Sequence, residues 1–226
     1  DISINCDSIE MLERFSNREI GIRIDPVCGL SYNNNCKLQC SLDKSVSKMG
    51  IHVDDISRVI SVAKKRNLNI MRIHVHVGNS YLSDDIDNIT YVFDRINQVI
   101  SLLQSSGCDI REVNLGGGYG VPYTEIDKPF DWDKWGHMVV NGLDIGKIKV
   151  MIEPGDYLVK NAGMLLASVT GVERKNGEVF VGLNAGMNLN GLPAYYDVPS
   201  LPIPVLQRSS DLEVNVVGNI NESIDV

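Results

Sequence analysis

A regular alternation of short apolar runs with helical patterns constrains the fold most. Five runs have the residue types of buried strands and lie at residues 2–5, 21–25, 70–77, 112–115 and 148–153. Helical patterns separate them, at residues 7–15, 54–66, 86–103 and 131–140. Strands that alternate with helices of this length form right-handed βαβ units. The sequence therefore predicts an α/β fold with a parallel sheet.

The pattern changes after about residue 165. Residues 167–186 contain two alternating runs around Lys-Asn-Gly-Glu, which is typical of a β-hairpin. Short strand-like runs, prolines and turns make up the remainder. We predict an α/β domain over residues 1–165 and part of an antiparallel β domain over residues 166–226.

The strand–helix units number about five. A closed (β/α)8 barrel requires eight strands and roughly 250 residues. Five units therefore form either an open sheet or the latter part of a barrel whose first strands are absent.

Composition and charge disfavour several partner classes. The chain has 21 Lys and Arg against 29 Asp and Glu, a net charge of −8 that disfavours binding to a phosphate backbone. It has no apolar run of the ~18–20 residues needed to span a bilayer, and its first residues lack the pattern of a secretion signal. Five cysteines without a C-x-x-C pair indicate reduced thiols rather than disulfides or a metal site. We expect a cytoplasmic protein that binds neither nucleic acid nor membrane.

Three motifs directly follow consecutive predicted strands, where parallel α/β folds place their sites. In "HVHVGNS" (74–80), His74 and His76 share one strand face because side chains alternate. In "NLGGGYG" (114–120), three glycines let the backbone approach an anion closely. In "IEPGDYLVKNAGMLL" (152–166), a strand ends on Glu153 and a helix follows Gly155. Taken singly, each motif also has a purely structural explanation: packed or hydrogen-bonded histidines for the first, a tight strand-to-helix turn for the second and an ordinary turn for the third.

Taken together, the three motifs resemble the pyridoxal-phosphate decarboxylases of fold type III, the family of diaminopimelate, ornithine and arginine decarboxylases. The family's order is H-x-G, then G-G-G, then E-P-G, with ~35–40 residues between steps, as βα units dictate. Further blocks extend the resemblance along the chain, namely "GIRIDP" (21–26), "SVSKMGI" (45–51), "GLNAGMN" (182–188) and "GNINESIDV" (218–226). The resemblance implies the latter part of a TIM-like barrel followed by part of a β domain.

The resemblance also implies roles around pyridoxal 5'-phosphate. Glu153 would pair with the ring nitrogen, and His76 would stack on the ring face. The backbone at Gly116, Gly117, Gly118 and Gly155 would hold the phosphate. The family's serine after H-x-G falls at Asn79, with Ser80 adjacent, and Arg23 would belong to the polar shell near the cofactor. For Arg23, a salt bridge in the barrel wall is an equal alternative.

Several positions depart from the family pattern. Asp156 replaces an arginine that faces the phosphate, and Lys160 one turn later offers compensation. Asn221 replaces a cysteine that enters the neighbouring subunit's site. The segment "NGLPAYY" (190–196) lacks the arginine that grips a distal carboxylate, which argues against diaminopimelate, whereas Tyr195 and Tyr196 are candidates to face the substrate or to pack in the core.

The family's cofactor-bearing lysine lies in a motif like Y-A-V-K-A-N, which this chain lacks. We expect no substitute in Lys37, Lys44 or Lys48, so the resemblance implies a fragment that is inactive by itself. The full-length protein is expected to decarboxylate an amino acid, of the diaminopimelate, ornithine or lysine type or from a specialised pathway, as a homodimer. The alternatives are an inactive homologue that binds or regulates partners and, third, a racemase on the same barrel.

Overall fold

The computed structural model describes residues 3–40, 47–144, 146–206 and 212–225. Its strands are β1 (Asn5–Cys6), β2 (Arg18–Asp25), β3 (Leu30–Ser31), β4 (Ile51–His52), β5 (Leu68–His74), β6 (Gly78–Asn79), β7 (Glu112–Asn114), β8 (Lys149–Met151), β9 (Val169–Lys175), β10 (Glu178–Leu183) and β11 (Asn215–Val217). Its helices are α1 (Ile9–Leu12), α2 (Ile56–Arg66), α3 (Ile89–Ser105), α4 (Trp132–Gly142), α5 (Asp156–Val159) and α6 (Leu192–Tyr196).

A parallel sheet forms the centre of the first part of the chain. Its strand order is β1-β2-β5-β7-β8, and β4 pairs with the end of β2. Ile22 lies beside Ile73, Ile73 beside Val113, and Val113 beside Val150, so the neighbouring strands run in parallel register. The predicted βαβ arrangement is confirmed. The predicted strand over 148–153 is shorter in the structure, because β8 ends at Met151 and Glu153 lies beyond it.

The core lies between this sheet and its helices. Helix α3 buries an apolar face made of Ile89, Val92, Phe93, Ile96, Val99, Ile100 and Leu103. The helix ends at Ser105, and Gly107 follows with a left-handed φ of +97°, as expected for a glycine that ends a helix. Helix α1 is shorter than the predicted 7–15, but Ser8 caps it by accepting a hydrogen bond from Met11 N.

Two compact units divide the chain, one of Asp1–Val121 with Lys128–Lys160 and one of Pro122–Asp127 with Asn161–Val226. In the second unit, β9 and β10 form the predicted antiparallel hairpin. Asn176 and Gly177 at its tip both have positive φ, as a two-residue type I′ turn requires. Strand β11 pairs with β10 in parallel, so this three-stranded sheet is mixed. The domain boundary at residue 165 stays a prediction.

The helices of the described residues are all too short or too polar to cross a membrane.

Candidate cofactor site

The three sequence motifs meet at one edge of the parallel sheet. His74, Asn114 and Met151 lie side by side on β5, β7 and β8. The segments that follow carry His76, the glycine triplet and Glu153, because parallel strands end at the same edge. Glu153 N donates a 2.7 Å hydrogen bond to Gly116 O, which attaches the third motif directly to the second.

The Glu153 carboxylate lies against two side chains from neighbouring strands and is otherwise open to solvent. Asn114 Nδ2 donates to Glu153 Oε1 at 2.7 Å. His74 Nε2 lies 3.7 Å from Glu153 Oε2. The Glu153 side chain is nonetheless 54% exposed, so the carboxylate can still accept a hydrogen bond from a ligand.

Both histidines of the first motif are half-buried and favour the neutral form. Burial lowers the pKa of His74 and of His76, and the nearby Arg23 guanidinium lowers both pKa values further. For His74 the Glu153 carboxylate acts in the opposite direction. His76 Nδ1 accepts a 3.2 Å hydrogen bond from Gly117 N, so neutral His76 carries its proton on Nε2.

The structure explains the glycine triplet by close backbone packing. Gly116 and Gly118 have φ values of +70° and +96°, which favour glycine. A Cβ on Gly116, Gly117 or Gly118 would collide with the carbonyl oxygen of Val75, Glu153 or Gly78, respectively. Gly116 N donates to Asn114 Oδ1 at 2.9 Å and Gly117 N to His76 Nδ1. Since two of the three amides have partners within the protein, a phosphate-holding role for the whole triplet stays a prediction.

A buried aromatic cluster supports the glycine turn from behind. Tyr81 Oη donates to Gly117 O at 3.0 Å, and the Tyr81 ring packs edge-to-face on Tyr119 with centroids 5.4 Å apart. Phe130 and Trp135 complete the contact. Sequence reasoning missed Tyr81, although its position just after the histidine motif was a signal.

Gly155 stands at the start of α5 in open space. A Cβ built on it meets nothing within 4 Å. Asp156 opens the helix, and Lys160 Nζ lies 2.8 Å from Asp156 Oδ2. Lys160 therefore offsets the carboxylate at the position of the family's arginine.

Arg23 forms a salt bridge, which was the alternative to a place in the polar shell near the cofactor. Its Nη1 lies 3.4 Å from Asp7 Oδ1, while its charge also reaches His74 and His76. Asn79 is exposed and donates to Leu38 O at 3.3 Å, and Ser80 is buried with a φ of +60°. A role of these residues at the cofactor stays a prediction.

The remaining candidates belong to the second unit. Tyr195 and Tyr196 end α6 and are 53% and 41% exposed, so neither is a core residue. Asn221 is exposed in a turn that buried Asp225 closes by accepting from Ile220 N at 2.7 Å. Lys37 and Lys48 are exposed, and Lys44 lies outside the described residues. Their roles at the site stay predictions.

Residues 2–160 match the family described as pyridoxal-dependent decarboxylase, pyridoxal binding domain. The chain belongs to this family. The parallel sheet with its helices and the following β unit match the TIM-barrel and β-domain fold of its solved relatives, so the fold prediction is confirmed.

Individual relatives are diaminopimelate decarboxylases. The chain is 29% identical over 181 residues to that of Aquifex aeolicus, covering 79% of this chain and 43% of the relative. It is 25% identical over 245 residues to that of Methanothermobacter thermautotrophicus, covering 100% of this chain and 54% of the relative. The crystal structure of the Helicobacter pylori enzyme complexed with L-lysine superposes with a TM-score of 0.83 at 25% identity, over 99% of this chain and 56% of that chain. The chain thus spans about half the length of the relatives it matches.

The residues at the strand ends fit the cofactor of a pyridoxal-dependent family. Glu153 is an acceptor that is anchored by a neutral donor and partly open. The pKa values of His74 and His76 are lowered, so both side chains favour the neutral form and would not repel a cationic ring. Sequence reasoning missed Asn114, whose position at the end of a strand immediately before the glycines was the available signal.

Proposed function

We propose that this chain supplies the ring-binding side of the site in a pyridoxal 5'-phosphate-dependent amino-acid decarboxylase. The observation that carries the proposal is the anchored, half-open Glu153 carboxylate beside the glycine turn. Bound pyridoxal 5'-phosphate would supply a cationic ring that takes up the electrons released when CO2 leaves. Glu153 would accept a hydrogen bond from the protonated ring nitrogen, and neutral His76 would lie against the ring.

The phosphate end of the proposed site is formed by the backbone around the glycine turn and Gly155. Asp156 is a like charge to a phosphate, and two such charges about 4 Å apart repel by roughly 4 kcal/mol at an effective dielectric near 20. The ion pair with Lys160 counters this repulsion. Arg23, Asn79 and Ser80 complete the proposed polar shell.

The proposed substrate is a small amino acid. Its type is that of ornithine or lysine, or of a specialised biosynthetic pathway, and diaminopimelate, the substrate named for the relatives, is the least favoured of the types considered. The absence of arginine from residues 190–196 disfavours a substrate with a second carboxylate, because a bidentate arginine pair is the strongest means of holding one. Tyr195, Tyr196 and Asn221 are proposed to lie on the substrate side. A cytoplasmic location stays a prediction from the cysteine content.

Cofactor selectivity tests the proposal. We expect the chain to bind pyridoxal 5'-phosphate more tightly than the analogue in which C–H replaces the ring nitrogen, because only the former pairs with Glu153. Glu153→Gln should reduce this preference about tenfold or more, as expected for a charge-assisted hydrogen bond. Fluorescence titration measures both affinities, and the exposed Glu125→Gln is the matched control. Equal affinity of the unaltered chain for both compounds would refute the proposal.

Catalysis requires the family's lysine, and these 226 residues contain no counterpart of its motif. We therefore expect the chain by itself to release no CO2 from diaminopimelate, ornithine, lysine or arginine. Turnover of any of these amino acids by the isolated chain would contradict this expectation.

Asp156 and Asn221 favour a second candidate, an inactive homologue that binds or regulates a partner. A full-length protein of this kind would bind no cofactor even at excess. An active enzyme would show a visible absorption band that borohydride bleaches.

A further inference from the structure

The side-chain amide of Asn114 forms hydrogen bonds with both the glycine turn and Glu153. Its Oδ1 accepts from Gly116 N at 2.9 Å, two residues along the chain. Its Nδ2 donates to Glu153 Oε1 at 2.7 Å, across 39 residues of sequence. The residue is only 5% exposed, so water competes little for either bond.

Strand register brings this contact about. Asn114 is the last residue of β7 and pairs with Met151 at the end of β8. Glu153 follows Met151 by two residues and is tied to the turn through its own N–H to Gly116 O. The Asn114 amide therefore spans two neighbouring strand ends and attaches to the carboxylate from inside the sheet edge.

An amide at this position satisfies both partners without adding a charge. An aspartate would keep the acceptor for Gly116 N but would place a second carboxylate against Glu153. Two such groups cannot both ionise freely. An alanine would lose both bonds, and a serine is one atom shorter. His74, the other group at the carboxylate, lies farther away at 3.7 Å and has a lowered pKa.

We infer that Asn114 is a positioning residue, which holds one Glu153 oxygen through a neutral donor and thereby aims an ionised carboxylate at the ring nitrogen of the cofactor. The cofactor part of this inference rests on the proposed function. The link between Asn114 and Glu153 can be measured without any cofactor.

Titration of the free chain tests that link. In Asn114→Asp, the 13C carboxyl signal of Glu153, assigned by its loss in Glu153→Gln, should titrate about one pH unit or more higher than in the unaltered chain. Asn69→Asp is the matched control, because Asn69 lies at the start of β5 and its Oδ1 also accepts a backbone N–H, from Asp109. Circular dichroism checks that each variant is folded. An unchanged Glu153 titration in Asn114→Asp would overturn the inference.

Cofactor selectivity tests the second part of the inference, that Asn114 aims Glu153 at the ring nitrogen. In Asn114→Ala, the preference for pyridoxal 5'-phosphate over the analogue without a ring nitrogen should fall about threefold to tenfold, because the acceptor is no longer held in place. If Glu153→Gln removes the preference and Asn114→Ala leaves it intact, the inference is overturned while the proposed function stands. If the unaltered chain shows no preference, the proposed function fails, and the cofactor part of the inference fails with it.

Discussion

At the scale of single residues, the two side chains nearest the Glu153 carboxylate, Asn114 and His74, add no charge of their own. Asn114 donates to Glu153 without adding charge, and His76 is tied as an acceptor to Gly117 N. Burial is the main reason that His74 and His76 have lowered pKa values. The same burial makes the stability of the folded chain depend on pH, because a buried imidazole resists protonation.

Stability should fall as the pH drops below about 6.5, the ordinary histidine value. A histidine with a lowered pKa in the folded state binds fewer protons there than in the unfolded chain, so the free energy of unfolding rises with pH through this window. Full stability is therefore present above about 6.5 and is lost as the pH falls from there towards the folded-state pKa values.

Urea unfolding between pH 8 and pH 5 measures this loss. His74→Asn with His76→Asn should flatten the pH dependence, and an asparagine oxygen can still accept from Gly117 N. The exposed His137→Asn is the matched control. If the double variant keeps the pH dependence of the unaltered chain, the loss of stability does not come from His74 and His76.

At the scale of elements, helix α3 shows how a local pattern becomes core. Its apolar positions recur at helical spacing, and the structure buries them against the sheet. Ile96 is 0% exposed, whereas Leu102 on the same helix is 49% exposed.

Ile96→Ala should lower the free energy of unfolding of the chain by about 2–4 kcal/mol, because it removes buried methyl groups and leaves a cavity. Leu102→Ala should change it by about 0.5 kcal/mol or less. Chemical denaturation followed by circular dichroism measures both values. Equal losses in the two variants would show that the helix does not bury the face seen in the structure.

At the scale of the whole molecule, the described residues leave apolar surface uncovered. In the parallel sheet, β1 and β8 are the outer strands, each with one neighbour in the strand order. Large apolar side chains are exposed beyond residue 157, including Leu158, Met164, Leu166 and Ile203. Open strand edges and exposed apolar side chains of this kind favour association.

We expect the chain to form a homodimer, which is the assembly implied by the family resemblance. Light scattering coupled to size-exclusion chromatography should give twice the monomer mass at micromolar concentration, and dilution should shift the chain towards the monomer. A monomer mass throughout the concentration series would contradict the prediction.

The sequence by itself determined the features that depend on local chemistry. Alternating strand and helix patterns were enough to predict the parallel sheet, and Asn176-Gly177 was enough to predict the hairpin turn. The order of the three motifs was enough to predict the family and the edge of the sheet at which the motifs meet. The strand, helix and turn signals are read within one turn or one element, where hydrophobic periodicity and backbone conformation act, and the family signal is read from the linear order of the motifs.

Only the tertiary structure decided which side chains meet. The bond from Asn114 to Glu153 spans 39 residues, and the support of Gly117 by Tyr81 spans 36. The parallel pairing of β11 with β10 likewise joins segments far apart in sequence. Such contacts depend on the register between strands, which packing of the whole sheet sets and which no single segment encodes.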